Sequence, residues 1–150
     1  MKKEFDKKIE HDLSQIVSPA KRMDALESLS EGGEKHHGPV IEKILTDSLS
    51  TDDNSVVRHE IAFLLGRLYG QGCINGHLAL DALCRSALTD SSPLVRHEAA
   101  ASLGWFQNQK ALQVLDELKR DPHPDVVATA WIAIEQLQDG EAAAPSTANV

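Results

Sequence analysis

The chain has 150 residues, enough for one compact domain, and 41% of them are hydrophobic while only 4% are aromatic. A core so poor in aromatics and rich in Ala and Leu suits close-packed helices better than a β-sandwich. The formal net charge of −8, from 23 acidic against 15 basic residues, argues against a nucleic-acid backbone as partner and leaves a basic partner compatible.

The two cysteines, Cys73 and Cys84, form no CxxC and no zinc-ribbon spacing, so they imply no disulfide framework. The start Met1-Lys2-Lys3-Glu4 runs into charge rather than a signal-peptide core, and no segment approaches the roughly 20 apolar residues of a membrane span. The expectation is a soluble, cytoplasmic protein without a membrane partner.

From Phe5 to Ile16, the residues Ile9, Leu13 and Ile16 form a helical stripe. Ser18-Pro19 ends it, and Pro19 opens a second helix over Ala20–Leu29. Ser30–Gly38 is a polar loop holding His36-His37, a doublet expected in solvent. A third helix runs from Pro39 to Leu49. Asp52-Asp53-Asn54-Ser55 then supplies good N-caps for a fourth, from Val56 to Tyr69, with the core stripe Ile61, Leu64, Leu65 and Leu68.

A glycine-containing break at Gly70–Gly76 precedes a helix over His77–Leu88, in which Cys84 is expected to pack in the core. Asp90-Ser91-Ser92-Pro93 caps the next helix, Leu94–Phe106. Further helices follow over Ala111–Lys119 and, after Asp121-Pro122-His123-Pro124, over Asp125–Leu137. The expected domain is 1–139, with a disordered tail over 140–150, where the composition turns small and polar.

The predicted fold class is therefore all-α: an α-α superhelix of about four helical hairpins, or HEAT-like solenoid. Aligning the second helix of each hairpin gives Lys21-Arg22-Met23-Asp24, Val57-Arg58-His59-Glu60, Val95-Arg96-His97-Glu98 and Val127-Ala128-Thr129-Ala130. The two His-Glu pairs stand 38 residues apart (97 − 59). Second helices of neighbouring hairpins stack roughly 8–10 Å apart, so equivalent positions become spatial neighbours.

One His-Glu pair alone cannot chelate an ion, because adjacent helical side chains point about 100° apart. The HExxH pattern of zinc proteases is absent, since Phe63 and Ala101 stand at the fourth position after each histidine. Equivalence between repeats changes the weight of the signal. His59, Glu60, His97 and Glu98 can converge on one point, and the outer hairpins carry Met23-Asp24 and Thr129-Ala130 there, so folding does not require the pair. Two imidazoles with one or two carboxylates suit iron or zinc.

A salt bridge of the Glu98–Arg58 type between repeats would explain the same residues without metal. A zinc hydrolase would need a general base that does not stand apart from these ligands. His11, His77 and His123 stand singly, and no base accompanies Cys73.

The lines Val57-Arg58-His59-Glu60-Ile61-Ala62-Phe63-Leu64-Leu65-Gly66 and Val95-Arg96-His97-Glu98-Ala99-Ala100-Ala101-Ser102-Leu103-Gly104 resemble the His-Glu repeats of the deoxyhypusine hydroxylases, HEAT-like di-iron monooxygenases. The surrounding Ala/Leu pattern is shared with HEAT-like repeats in general, including those named after phycobilisome lyases. The resemblance covers about Ala20 to Leu137.

It implies iron ligation by His59, His97 and Glu98, with Glu60 a ligand or a group contacting a cationic amine of the substrate. It also implies O₂ as co-substrate, and as substrate an amine-bearing protein side chain or small molecule. That family carries two four-repeat arms in one chain, whereas this sequence is one arm. Two irons per assembly would then require a homodimer, each copy giving one half of the centre. The 38-residue interval also exceeds the family's repeat, through the lengthened Gly70–Gly76 loop. The alternative without catalysis is a HEAT-repeat adaptor that binds a partner protein along its second helices.

Overall fold

Prolines and short polar side chains punctuate the chain, and helices fill the intervals. The computed structural model describes residues 2–31 and 38–143, and among them are eight helices and no strand. They are α1 (Lys2–Ser14), α2 (Pro19–Glu31), α3 (Gly38–Thr51), α4 (Ser55–Gly70), α5 (His77–Thr89), α6 (Pro93–Leu103), α7 (Gln109–Leu118) and α8 (Pro124–Ala143). His36-His37 lies outside the described residues, as does the part of the expected tail beyond Ala143. α8 continues past Gly140, the position where the composition changes.

The starts follow the expected chemistry. Asn54 Oδ1 accepts from the N–H groups of Val56 and Val57 at 2.9 and 3.2 Å, which opens α4. Pro93 occupies the first turn of α6. α5 is capped from another repeat: Gly76 offers no side chain, and the buried Glu42 of α3 accepts the N–H of Ala79 at 2.9 Å.

The helices stack as two layers. α2, α4, α6 and α8 pack side by side in one, and α3, α5 and α7 in the other. The core lies between them, with Leu45, Leu49, Ile61, Leu64, Leu65, Leu68, Leu83, Leu103 and Leu115 almost wholly enclosed. Cys84 is buried there, as its helix face indicated, whereas Leu78 and Leu88 on the same helix remain exposed. Among the side chains described in α1, the half-buried Ile9 and Leu13 pack against this core.

An arginine ladder ties the repeats in register. Arg22 forks onto Asp52 at 2.8 and 3.0 Å, Arg58 onto Asp90 at 2.9 and 3.0 Å, and Arg96 onto Asp121 at 2.8 and 3.1 Å. Each arginine also donates to the carbonyl six residues before it: Ile16, Asp52 and Asp90. Each aspartate in turn accepts an N–H two residues on, from Asn54, Ser92 and His123.

This spacing fixes the fourth repeat one residue earlier than the sequence alignment placed it. Six residues after Asp121 stands Val127, so Ala128-Thr129 occupies the His-Glu position rather than Thr129-Ala130. Burial agrees: Val57, Val95 and Val126 are equivalent and fully enclosed, as are Ile61, Ala99 and Ala130. The ladder has two ends. Ile16 stands where an incoming arginine would need a carboxylate, and Val127 stands where an outgoing arginine would be.

Candidate metal and ligand site between α4 and α6

In the corrected register, the solvent-facing side of the second-helix layer carries three rows. His59, His97 and Ala128 form the first, Phe63, Ala101 and Ile132 the second, and Arg67, Trp105 and Gln136 the third. The rows follow from the spacing of four residues, about one helical turn.

The histidines reach forward, as the arginines do. His59 Nε2 lies 3.1 Å from Glu98 Oε2 on the next helix, with side chains 28% and 16% exposed. His97 Nδ1 lies 2.6 Å from Thr129 Oγ1, on the helix after that. Glu98 and Thr129 are equivalent positions, so one geometric relation is used twice with different partners. Arg58 turns to Asp90 instead of Glu98, so the inter-repeat pair that forms at this site is His59–Glu98. Glu60 is half-buried and has no hydrogen bond or ion pair among the described residues.

The donor chemistry suits a first-row metal. Two donors about 2.1 Å from one ion at right angles sit about 3.0 Å apart, so the 3.1 Å His59–Glu98 spacing matches an edge of a coordination sphere. His97 has one ring nitrogen engaged by Thr129 and keeps Nε2 for another use. No three His, Cys, Asp or Glu side chains among the described residues form a group able to hold an ion.

Beside this pair, an open groove of about 370 Å³ runs between α4 and α6 toward their C-terminal ends. Its floor is backbone and small side chains, because Gly66 lets α6 approach. Ser102 Oγ donates to the carbonyl of Ala62 at 2.8 Å, and a methyl group on Gly66 would stand 2.5 Å from that same Oγ. Phe63 and Trp105, 42% and 57% exposed, rise on either side. Arg67 and Glu98 also line it; the Arg67 guanidinium lies 5.7 Å from the Phe63 ring centre and donates to Ser30 Oγ of α2 at 3.1 Å.

Of the four residues singled out in the sequence, the structure brings His59 against Glu98, sets His97 at the equivalent position on the next helix, and leaves Glu60 apart from them. Sequence reasoning missed Thr129 through the register slip, and it missed the ladder, although Asp-x₅-Arg recurs at Asp52–Arg58 and Asp90–Arg96. Arg67 and Trp105 carried no motif, and their shared row emerges only when the helices are superposed.

A family model described as HEAT repeats matches residues 42–137. Among solved structures, human deoxyhypusine hydroxylase in complex with glycerol is similar, with a TM-score of 0.70 and 24% sequence identity. The match covers 95% of this chain and 48% of that one, so the chain spans about half the length of that enzyme. No curated protein sequence matches the chain.

Proposed function

The chain belongs to the HEAT-repeat family, and from that premise we propose that it is one arm of an oxygenase resembling deoxyhypusine hydroxylase, its metal site completed by a second copy. The observation that carries this reading is the His59–Glu98 contact at 3.1 Å, with His97 at the equivalent, half-buried position on the next helix. His59, His97 and Glu98 would hold iron, with Glu60 a further ligand or a contact for a substrate amine. A pair of irons, when bound, supplies the activation of O₂. The chain's own contribution is placement. Glu98 orients His59, Thr129 holds one nitrogen of His97, and the arginine ladder keeps α4, α6 and α8 in the register that aligns them. Among the described residues no third donor joins the pair, and a homodimer with a two-fold axis would supply the matching half.

Protein purified from iron-replete cells without chelator should contain about one iron per chain and elute as a dimer. His59→Ala together with His97→Ala should lose the metal while keeping its helical circular dichroism. A metal-free monomer from iron-replete cells would overturn the proposal. A second reading rests on the exposed Phe63, Trp105 and Ile132: a non-catalytic adaptor whose second-helix face binds a partner protein. In that case the double histidine variant has no metal to lose and binds its partner as before.

A further inference from the structure

The three rows of the second-helix layer begin on α2, where Met23, Glu27 and Glu31 hold the places of His59, Phe63 and Arg67. In the second row, Phe63 on α4 is large and exposed, while Ala101 on α6 is small and half-buried. In the third, the Arg67 guanidinium of α4 lies by Phe63, and α6 carries the exposed Trp105. A two-fold axis parallel to the helices, placed between α4 and α6, keeps every row at its own height and exchanges the two columns. It sets α4 of one protomer against α6 of its partner. Phe63 would then fill the space above the partner's Ala101, beside the partner's Trp105, and symmetry forms the same contact twice. An axis perpendicular to the helices would instead set α2 on α2 and oppose Glu27 and Glu31 to their own copies, in a chain already at −8. The parallel axis sets α2 against α8, whose rows carry Ala128, Ile132 and Gln136 and no like charge.

We propose that this face is an isologous interface between two copies of the chain, with α4 of each seated on α6 of the other and Phe63 and Trp105 as its apolar anchors. The proposal rests on the homodimer of the function proposed above and goes beyond it by assigning the axis and the residues in contact. Its occupant is a second copy rather than a foreign protein, because the large and small positions that fit together belong to the chain's own rows. Phe63, Trp105 and Ile132 expose roughly 300 Å² of side chain per copy, more than a third of the roughly 800 Å² that one partner gives to a standard interface. Aromatic anchors at the centre of the patch, with carboxylates on α2 at its edge, follow the usual division into apolar core and polar rim. The open groove between α4 and α6 lies on the axis and is covered by its own symmetry mate.

The test uses the full chain purified from iron-replete cells. Sedimentation gives the dimer Kd, and iron is measured on the same samples. Trp105→Ala and Ala101→Phe should each raise that Kd at least about tenfold, the scale of one interface anchor. Circular dichroism of each variant checks that the fold is kept. The axis is read by crosslinking. Phe63→Cys and Ala101→Cys chains, both also carrying Cys73→Ser, are treated with a short bismaleimide singly and mixed. The mixture should give far more crosslinked dimer than either variant alone, since the parallel axis brings α4 against α6. Dominant crosslinking of Phe63→Cys to itself, an unchanged Kd in both surface variants, or a monomeric chain overturns the inference. The substituted residues include none of those assigned to the metal, so the two readings fail separately. Iron retained in a dimer that fails the crosslinking test overturns the interface and leaves the oxygenase standing. An iron-free dimer that crosslinks as expected supports the interface and removes the oxygenase.

Discussion

Gly66 shows how much one absent methyl group decides. Its Cα faces Ser102 so closely that an added Cβ would meet Oγ at 2.5 Å, Cβ at 2.8 Å and Cα at 3.2 Å. The last of these is backbone, so the helices themselves must separate. Alanine gains up to about 1 kcal/mol of helix propensity over glycine, and overpacking costs about 1–3 kcal/mol. Gly66→Ala should therefore be net destabilising by about 1–2 kcal/mol in urea denaturation. Gly70→Ala is the control, because its Cβ would meet only Trp105 at 4.0 Å. It should be neutral or slightly stabilising. At this scale the sequence was readable for His59, His97 and Glu98, whose repetition is visible in one dimension. Thr129 was not readable, because threonine in place of glutamate breaks the pattern that revealed the other partners.

Within the elements, the ladder couples the start of each second helix to the one before it. Burial pushes the Asp121 carboxyl upward, but the Arg96 hydrogen bond, the His123 N–H and the nearby positive charge outweigh it, so Asp121 is held below the usual carboxylate range. Its folded pKa thus lies below the unfolded value of about 3.9. The unfolded chain binds the proton more readily, so this stabilisation is complete above about pH 4 and is lost as pH falls through the folded pKa. Asp121→Asn should cost about 3 kcal/mol at neutral pH, since it leaves the largely buried Arg96 unpaired. It should also flatten the decline in stability below pH 4, which urea titrations at several pH values would read. Helix positions were legible from caps and apolar stripes because those signals are local. The fourth-repeat register was not, because the His-Glu landmark is missing there and the Asp121 hydrogen bonds, with the burial of Val126 and Ala130, fix the count.

Across the whole molecule, enclosure is uneven. α4 and α6 are packed from both sides, whereas α1, among its described side chains, contributes the half-buried Ile9 and Leu13, and α2 buries only Leu26 and Ser30. Amide exchange should therefore be fastest in α1 and slowest in the middle of α4 and α6, with α2 between them. Uniform protection across the chain would contradict this picture. The all-α stack was legible from periodicity, while the groove was not, since it is a property of two helices 38 residues apart in their landmarks. The two closed ends of the arginine ladder have a further consequence. Each interior repeat begins with an aspartate that receives and continues with an arginine that gives. A duplicated copy of the third repeat, inserted in tandem, would satisfy both neighbours and orphan no charge, whereas a copy added beyond Val127 or before Ile16 would meet no partner. The molecule is thus built to lengthen from its middle, and each inserted unit would add one more His-Glu to the half-buried row.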